Sequence, residues 1–302
     1  MTPSDYDYLC KFLKERSGLD LSADKQYLVE SRLVPLARKA NLTGIDQLVQ
    51  RLKSGSEPIA ADVVDAMTTN ETFFFRDKTP FDHLRQTVMP ALLKARADRR
   101  SLRIWCAAAS TGQEPYSIAM CLKEMGAALA GWRVEIIGTD LSQEVLNKSK
   151  AGVYTQFEVQ RGLPIQLLVK YFKQVGDSWH LDPEIRSMIQ FRKLNLLHDF
   201  TSLGKFDVIF CRNVLIYFDQ PTKSSIFNQL AKSLDADGFL ALGAAESVVG
   251  LTECFKPHPD CRGIYRPSSL PTRASPSIVP SMPSSFKVVP AAAPRSLLPG
   301  RA

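Results

Sequence analysis

Three features of this sequence combine residue types and spacing that could do chemistry. The first is the run of small residues Ala107–Gly112 (AAASTG). It lies between an apolar, strand-forming stretch at Leu102–Cys106 and a helical pattern at Pro115–Met125. Strand, tight turn and helix make the first half of a nucleotide-binding βαβ unit. Tiny side chains let the backbone approach a ligand, and the helix start offers unpaired N–H groups. The second feature is Asp140, which ends a further strand pattern, Arg133–Thr139, 28 positions after Gly112. An acid at that place in such a unit binds ribose hydroxyls. The third is Thr69–Asp77 (TNETFFFRD), three consecutive aromatics flanked by small polar residues and an Arg–Asp pair. As one wall of a ligand cleft, it would let Arg76 present a fixed cation to an anionic group.

Each feature also has a plain structural alternative. The turn departs from the glycine-rich GxGxxG pattern and can be a tight turn without a ligand. Asp140 can serve only as a helix N-cap, a role for which Ser142 competes. The aromatic run can be a buried hinge between domains. Turn and acid together are more specific than either alone.

The elements that must position these residues follow from periodicity. A capping box at Ser4-x-x-Asp7, Ser22, Thr43-x-x-Asp46 and Pro58 mark the starts of four short helices, and Gly18 and Gly55 end two of them. They form a small N-terminal helical domain, residues 1–69. Its second helix carries Lys25, Arg32 and Lys39 seven residues apart, with Arg38 beside them. That is a solvated basic face or a docking surface, and Pro35 inside the helix should kink it. Thr79-Pro80 opens a helix through Leu92. Met188–Leu194, Phe206–Cys211 and Gly238–Leu242 supply three more sheet strands, and Cys254-Phe255 with Gly263–Tyr265 a closing hairpin. Phe206–Cys211 runs directly into Arg212-Asn213 and on to Tyr217 and Asp219. Ligands of open α/β sheets sit beyond strand carboxyl ends, which puts this segment at the cleft, although Tyr217 could be core filler.

Bulk composition excludes several classes. The 302 residues, 45% hydrophobic, suffice for a sizeable core and allow two domains. No apolar run is long enough to span a bilayer, and the N-terminus does not read as a signal peptide. Six scattered cysteines without a C-x-x-C pair fit reduced thiols in a cytoplasm. Four histidines form no ligand-spaced cluster, so no metal is expected. The net charge is +7, but residues 268–302 hold four of these charges (Arg273, Lys287, Arg295, Arg301) and no acid. The remaining +3 is a weak argument for nucleic acid. The Pro-, Ser- and Ala-rich composition of 268–302 predicts disorder or a linker.

Taken together, NETFFFRD, IWCAAASTGQEPYSIA, IIGTDLS, FRKLNLL and FDVIFCRNVLIYF resemble, in order and spacing, the CheR-type chemotaxis receptor glutamate methyltransferases over about residues 5–267. The resemblance implies a Rossmann-like α/β methyltransferase domain (70–267) with a small inserted β-subdomain near 172–185. It also implies S-adenosylmethionine as methyl donor, S-adenosylhomocysteine as product, and glutamate side chains of chemoreceptor cytoplasmic helices as acceptors. Carried onto this chain, Asn70, Thr72, Arg76 and the turn from Ala107 border the donor. Glu114 and Asp140 hold its methionine end and ribose, Asn195 and Leu196 border the adenine, and Arg212 and Asn213 line the cleft. Arg76 and Tyr217 match positions near the methyl group and the incoming carboxylate. Arg32, Arg38 and Lys39 fall on the family's receptor-docking helix, where Pro35 and Leu36 replace residues often basic. The short β-subdomain resembles versions that work without a C-terminal receptor tether. A cytoplasmic protein reaching membrane receptor arrays through its receptor, without membrane insertion or nucleic acid, follows.

The chemistry suits these residues. A glutamate side chain, with an ordinary pKa of about 4.3, is already the nucleophile at neutral pH, so no general base is required. Two competing readings remain at this level: methylation of nucleic acid or a small molecule, and a donor-binding regulatory module without activity.

Overall fold

The computed structural model describes residues 1–268, so the expectation for the tail falls, Ser268 apart, outside the described residues. The chain begins with four helices, α1 (Pro3–Ser17), α2 (Gln26–Lys39), α3 (Ile45–Lys53) and α4 (Glu57–Met67). Leu9, Leu13, Val29, Leu33, Leu48, Val49, Val63 and Met67 recur at helical spacing and close on one another as a single core.

Several helix starts differ from the sequence reading. The capping box of α1 is Thr2 with Asp5, two residues upstream of Ser4-x-x-Asp7, because Pro3 already has the fixed φ of a first turn. Ser22 precedes a single 3₁₀ turn, Ala23–Lys25, that leads into α2. At α3 the cap is Gly44, and the Thr43 amide donates to Gln47 Oε1 at 3.0 Å. Pro35 is held inside α2, which continues unbroken to Lys39.

Among the described residues ten strands follow: β1 (Ser101–Ala107), β2 (Arg133–Asp140), β3 (Val153–Thr155), β4 (Phe172–Val175), β5 (Ser178–Leu181), β6 (Ile189–Lys193), β7 (Phe206–Cys211), β8 (Leu234–Leu242), β9 (Phe255–Pro257) and β10 (Ile264–Pro267). Seven form one sheet in the order β6-β2-β1-β7-β8-β10-β9, parallel from β6 to β8 and antiparallel at β10 and β9. Helices cover both faces, so the central strands are mostly apolar; β7 is buried at all six positions, with Asp207 bonded to Arg96, Arg99 and the Arg103 amide. The chain moves outward from β1 in one direction and restarts at β7 on its other side. The gap between β1 and β7 is thus the topological switch point, where open α/β sheets bind ligands.

The inserted subdomain is larger than its sequence suggested. It is a three-stranded antiparallel sheet, β3-β5-β4, with the short helices Gln156–Gln160 and Ile165–Tyr171, so it begins near Val153 rather than Phe172. Three-residue β3 is too short to show a period in sequence; only its pairing with β5 identifies it.

The helical domain meets the sheet domain through specific contacts. The Asp20 amide donates to the Tyr217 carbonyl at 2.9 Å, Lys14 pairs with Asp219 at 2.8 Å, and Asn195 Nδ2 donates to the Arg16 carbonyl at 2.8 Å. Gly18 ends α1 at φ 78°, and a Cβ there would lie 2.7 Å from the Phe218 ring. Gly18→Ala therefore combines left-handed backbone strain with overlap at the domain contact. The expected loss is about 2 kcal/mol, roughly 4–8 °C in melting temperature by calorimetry.

Candidate functional site

The turn after β1 is built by backbone geometry that small residues permit. Ala108, Ser110 and Gly112 have φ of 60°, 49° and 94°. The Ala109 amide donates to the Thr139 carbonyl (2.8 Å), Tyr154 OH to the Thr111 carbonyl (2.8 Å), and Ser149 Oγ to the Ser110 carbonyl (2.8 Å). At the tip of β2, the Asp140 carboxylate accepts from the amides of Ser110 (2.8 Å) and Ser142 (3.0 Å). Ser142, not Asp140, caps the following helix. Each Asp140 oxygen thus accepts one protein N–H and has lone-pair capacity for another donor. Burial pushes the Asp140 carboxyl above its ordinary value of 3.8, against the pull of those amides.

Arg212, at the end of β7, is the electrostatic centre. Its side chain is 1% exposed, and it donates to Glu114 Oε2 and Asp77 Oδ2, each at 2.7 Å, and to the Arg76 carbonyl at 3.0 Å. Glu114 stands in the first turn of the helix Gln113–Glu124. Burial raises its carboxyl above the ordinary 4.5, with Arg212 opposing the rise. The Arg212 Nε is buried without a hydrogen-bond partner among the described residues. Phe75, Asp77 and Lys78 have φ of 52°, 66° and 47°, conformations that are costly outside glycine and here bend the aromatic run around Arg212.

These elements enclose a cleft of about 1000 Å³, its open mouth included, between the helical domain and the strand ends. Asn70, Thr72, Arg76, Glu114, Asp140, Asn195, Leu196, Arg212, Asn213 and Tyr217 all line it. Ala107 does not: it is fully buried in β1, and its neighbour Ala108 faces the cleft. Ser17, Leu19 and Met67–Thr69 close the cleft from the helical side, a contribution local motifs could not show. Arg76 donates from Nη1 to the Glu71 carbonyl at 2.8 Å. Tyr217 is half-buried, and its hydroxyl bonds no described residue.

The basic helix lies elsewhere. Arg38 and Lys39 are exposed on α2. Arg32 is half-buried and turned toward the domain junction, donating to the carbonyls of Met67 (2.7 Å) and Thr68 (3.0 Å) and to Thr69 Oγ1 (3.0 Å). It ties off the end of α4 just before the cleft-lining segment.

Sequence reasoning missed Glu246. Its carboxylate accepts from four backbone amides, Asn213 (2.8 Å), Val214 (2.9 Å), Leu215 (2.8 Å) and Gly243 (2.7 Å). It thereby sets the loop that carries Asn213, at φ 58°, and leads to Tyr217. A lone acid after β8 carries no local signal for this role.

The donor set has acids for hydroxyl or ammonium groups (Asp140, Glu114) and cations for carboxylates (Arg76, Arg212). It fits a zwitterionic nucleoside such as S-adenosylmethionine. Among the described residues no three His, Cys, Asp or Glu side chains gather as a metal site.

Comparison with known proteins shows which family the chain resembles. Residues 70–263 match the sequence model described as "CheR methyltransferase, SAM binding domain", and residues 4–68 that described as "CheR methyltransferase, all-alpha domain". The chain is 44% identical over 259 residues to a chemotaxis protein methyltransferase 1 of Pseudomonas aeruginosa, spanning 84% of this chain and 93% of that one. A Vibrio cholerae chemotaxis protein methyltransferase 1 is 41% identical over 262 residues (85% and 94%). An Escherichia coli chemotaxis protein methyltransferase is 35% identical over 263 residues (84% and 88%).

Glu246→Ala strips four amides of a charged acceptor and is expected to cost about 3 kcal/mol, read as a fall in the urea midpoint at unchanged slope. Glu246→Gln, which keeps one acceptor oxygen, should lose less.

Proposed function

This chain belongs to the family of CheR methyltransferases, and from that premise we propose how its residues carry out the reaction. It is an S-adenosylmethionine-dependent enzyme that methylates glutamate side chains of chemoreceptors, giving glutamate methyl esters and S-adenosylhomocysteine. The observation that best supports the residue roles is the single cleft lined by Asp140, Glu114, Arg76 and Tyr217 at the β1/β7 switch point.

In this reading Asp140 accepts the ribose hydroxyls, and Glu114, fixed by Arg212, faces the donor's ammonium. Asn70, Thr72, Asn213 and the Ala108–Ser110 turn shape the donor pocket, with Asn195 and Leu196 at the adenine. The donor supplies an electrophilic methyl group on a sulfonium. Arg76 binds the incoming glutamate carboxylate and Tyr217 donates a hydrogen bond to it, so the attacking oxygen is aligned and stripped of water. Orientation of this kind can lower a bimolecular barrier by roughly 7–11 kcal/mol. No proton has to leave the nucleophile, so neither residue acts as a base.

The exposed basic face of α2, with Arg38 and Lys39, meets the acidic receptor helices. Arg32 supports that face from behind, since its guanidinium is already bonded to the α4 end. A turn of two residues, Gly176–Asp177, joins β4 to β5; so short a hairpin supports docking without a C-terminal receptor tether. Among the described residues no helix is long and apolar enough to cross a membrane. The enzyme works in the cytoplasm and reaches receptor arrays through the receptor itself.

Labelled methyl from S-adenosylmethionine should enter receptor cytoplasmic fragments as base-labile label. Arg76→Ala should reduce labelling by at least about a hundredfold and Tyr217→Phe by about tenfold. Base-stable label would point to another acceptor atom and refute the glutamate assignment.

Asp140→Ala should weaken donor binding about tenfold or more by calorimetry, the loss of a charge-assisted hydrogen bond. Unchanged affinity removes Asp140 from the ribose. Because burial raises the carboxyl pKa of both Asp140 and Glu114, each loses its charge on acidification earlier than an ordinary carboxylate. Donor affinity is therefore expected to be flat at neutral pH and to fall on the acid side, starting above the pH at which exposed carboxylates titrate. The fall should be shallower in Asp140→Asn.

A further inference from the structure

Arg161 belongs to none of the motifs that define the cleft, yet it acts on one of its walls. It lies just after the short helix Gln156–Gln160 of the inserted subdomain. Its Nη2 donates to Glu71 Oε1 at 2.7 Å, and its guanidinium carbon lies 4.4 Å from the centre of the Phe73 ring. Arg76 uses the same two residues. Its guanidinium carbon is 5.5 Å from the Phe73 ring centre, and its Nη1 is bonded to the Glu71 carbonyl. The approach of the subdomain loop depends on the next residue. Gly162 has φ 82°, and a Cβ there would stand 2.1 Å from the Phe74 carbonyl oxygen.

We propose that Arg161 is a positioning residue that withholds the Glu71 carboxylate from Arg76, leaving the Arg76 guanidinium free for the acceptor carboxylate. The proposal rests on the assignment of Arg76 as the acceptor-binding group. Glu71 lines the cleft, and its backbone is already bonded to Arg76, so its carboxylate is an internal competitor for that cation. An exposed ion pair contributes little by itself. Here the pair is reinforced by stacking on Phe73 and by close packing of Gly162 on Phe74, so the carboxylate is held on the subdomain side. The charge of Glu71 also offsets the repulsion between two cations that share one ring. Its carboxyl is held below the ordinary value by Arg161 first and by Arg76 to a smaller extent.

The test is epistasis in the full chain. Arg161→Ala should lower kcat/KM for a receptor fragment by about five- to tenfold, mostly through KM, with donor affinity unchanged within about twofold. Arg161→Lys should recover part of the loss. Arg161→Ala combined with Glu71→Gln should return to within about twofold of Glu71→Gln alone, because the competitor is gone. A purely structural role for Arg161 predicts no such rescue. Wild-type kinetics in Arg161→Ala, or a double variant no better than Arg161→Ala, overturns the proposal.

The side-chain Nε–H signal of Arg76 in nitrogen-15 NMR supplies a readout that needs no turnover. It should shift in Arg161→Ala and return toward its original place in the double variant. A signal indifferent to Arg161 refutes the clamp. If the unsubstituted chain labels no receptor, the functional reading fails, and this signal still decides the positioning claim.

Discussion

A guanidinium removed from water must be matched by acceptors, and Arg212 finds its acceptors on two separate segments: Glu114 on the first turn of the helix after β1, and Asp77 with the Arg76 carbonyl on the aromatic run. An unpaired buried charge costs several kcal/mol, so β7, that helix and the aromatic run are held to one mutual arrangement. The strained backbone of Phe75–Lys78 is maintained by the same requirement. Arg76 stands one residue from the pair it helps to close, which fixes where its own side chain begins. The geometry of the cleft and its buried electrostatics are thus a single constraint.

Glu246 does for the β7 loop what Arg212 does for the aromatic run, with the charges reversed: one carboxylate gathers four amides and leads the chain to Tyr217. The helical domain closes the third side. Its contacts with Asn195, Tyr217 and Asp219 fall on the segments that line the cleft, so the domain junction and the ligand site share residues.

Much of this was legible in the chain because its signals are local. The small-residue turn, the acid ending β2 and the apolar β7 running into Arg-Asn are strand-end features that adjacent residues determine, and they lead to the switch point unaided. The unread parts are closures between distant residues. Glu246 meets three of its four amides more than thirty positions away, Arg32 reaches from α2 to the end of α4, and Arg161 bonds Glu71 across ninety positions. Ala107 and Ala108 differ by one step, but the left-handed φ of Ala108 is what turns the chain from the sheet into the cleft. The sequence alone does not locate the α1 cap, because Thr2-x-x-Asp5 and Ser4-x-x-Asp7 carry the same pattern, and Pro3 decides between them.

The central claim is that this enzyme aligns a nucleophile already in its reactive form and uses no base. Single-turnover methylation of a receptor fragment at saturating donor, followed from about pH 6 to 9, tests it most directly. A rate constant level across that range, falling only in acid as carboxylates are protonated, is what the account predicts. A rate that climbs through a single ionisation near neutrality would show a group giving up a proton before methyl transfer, and would contradict it.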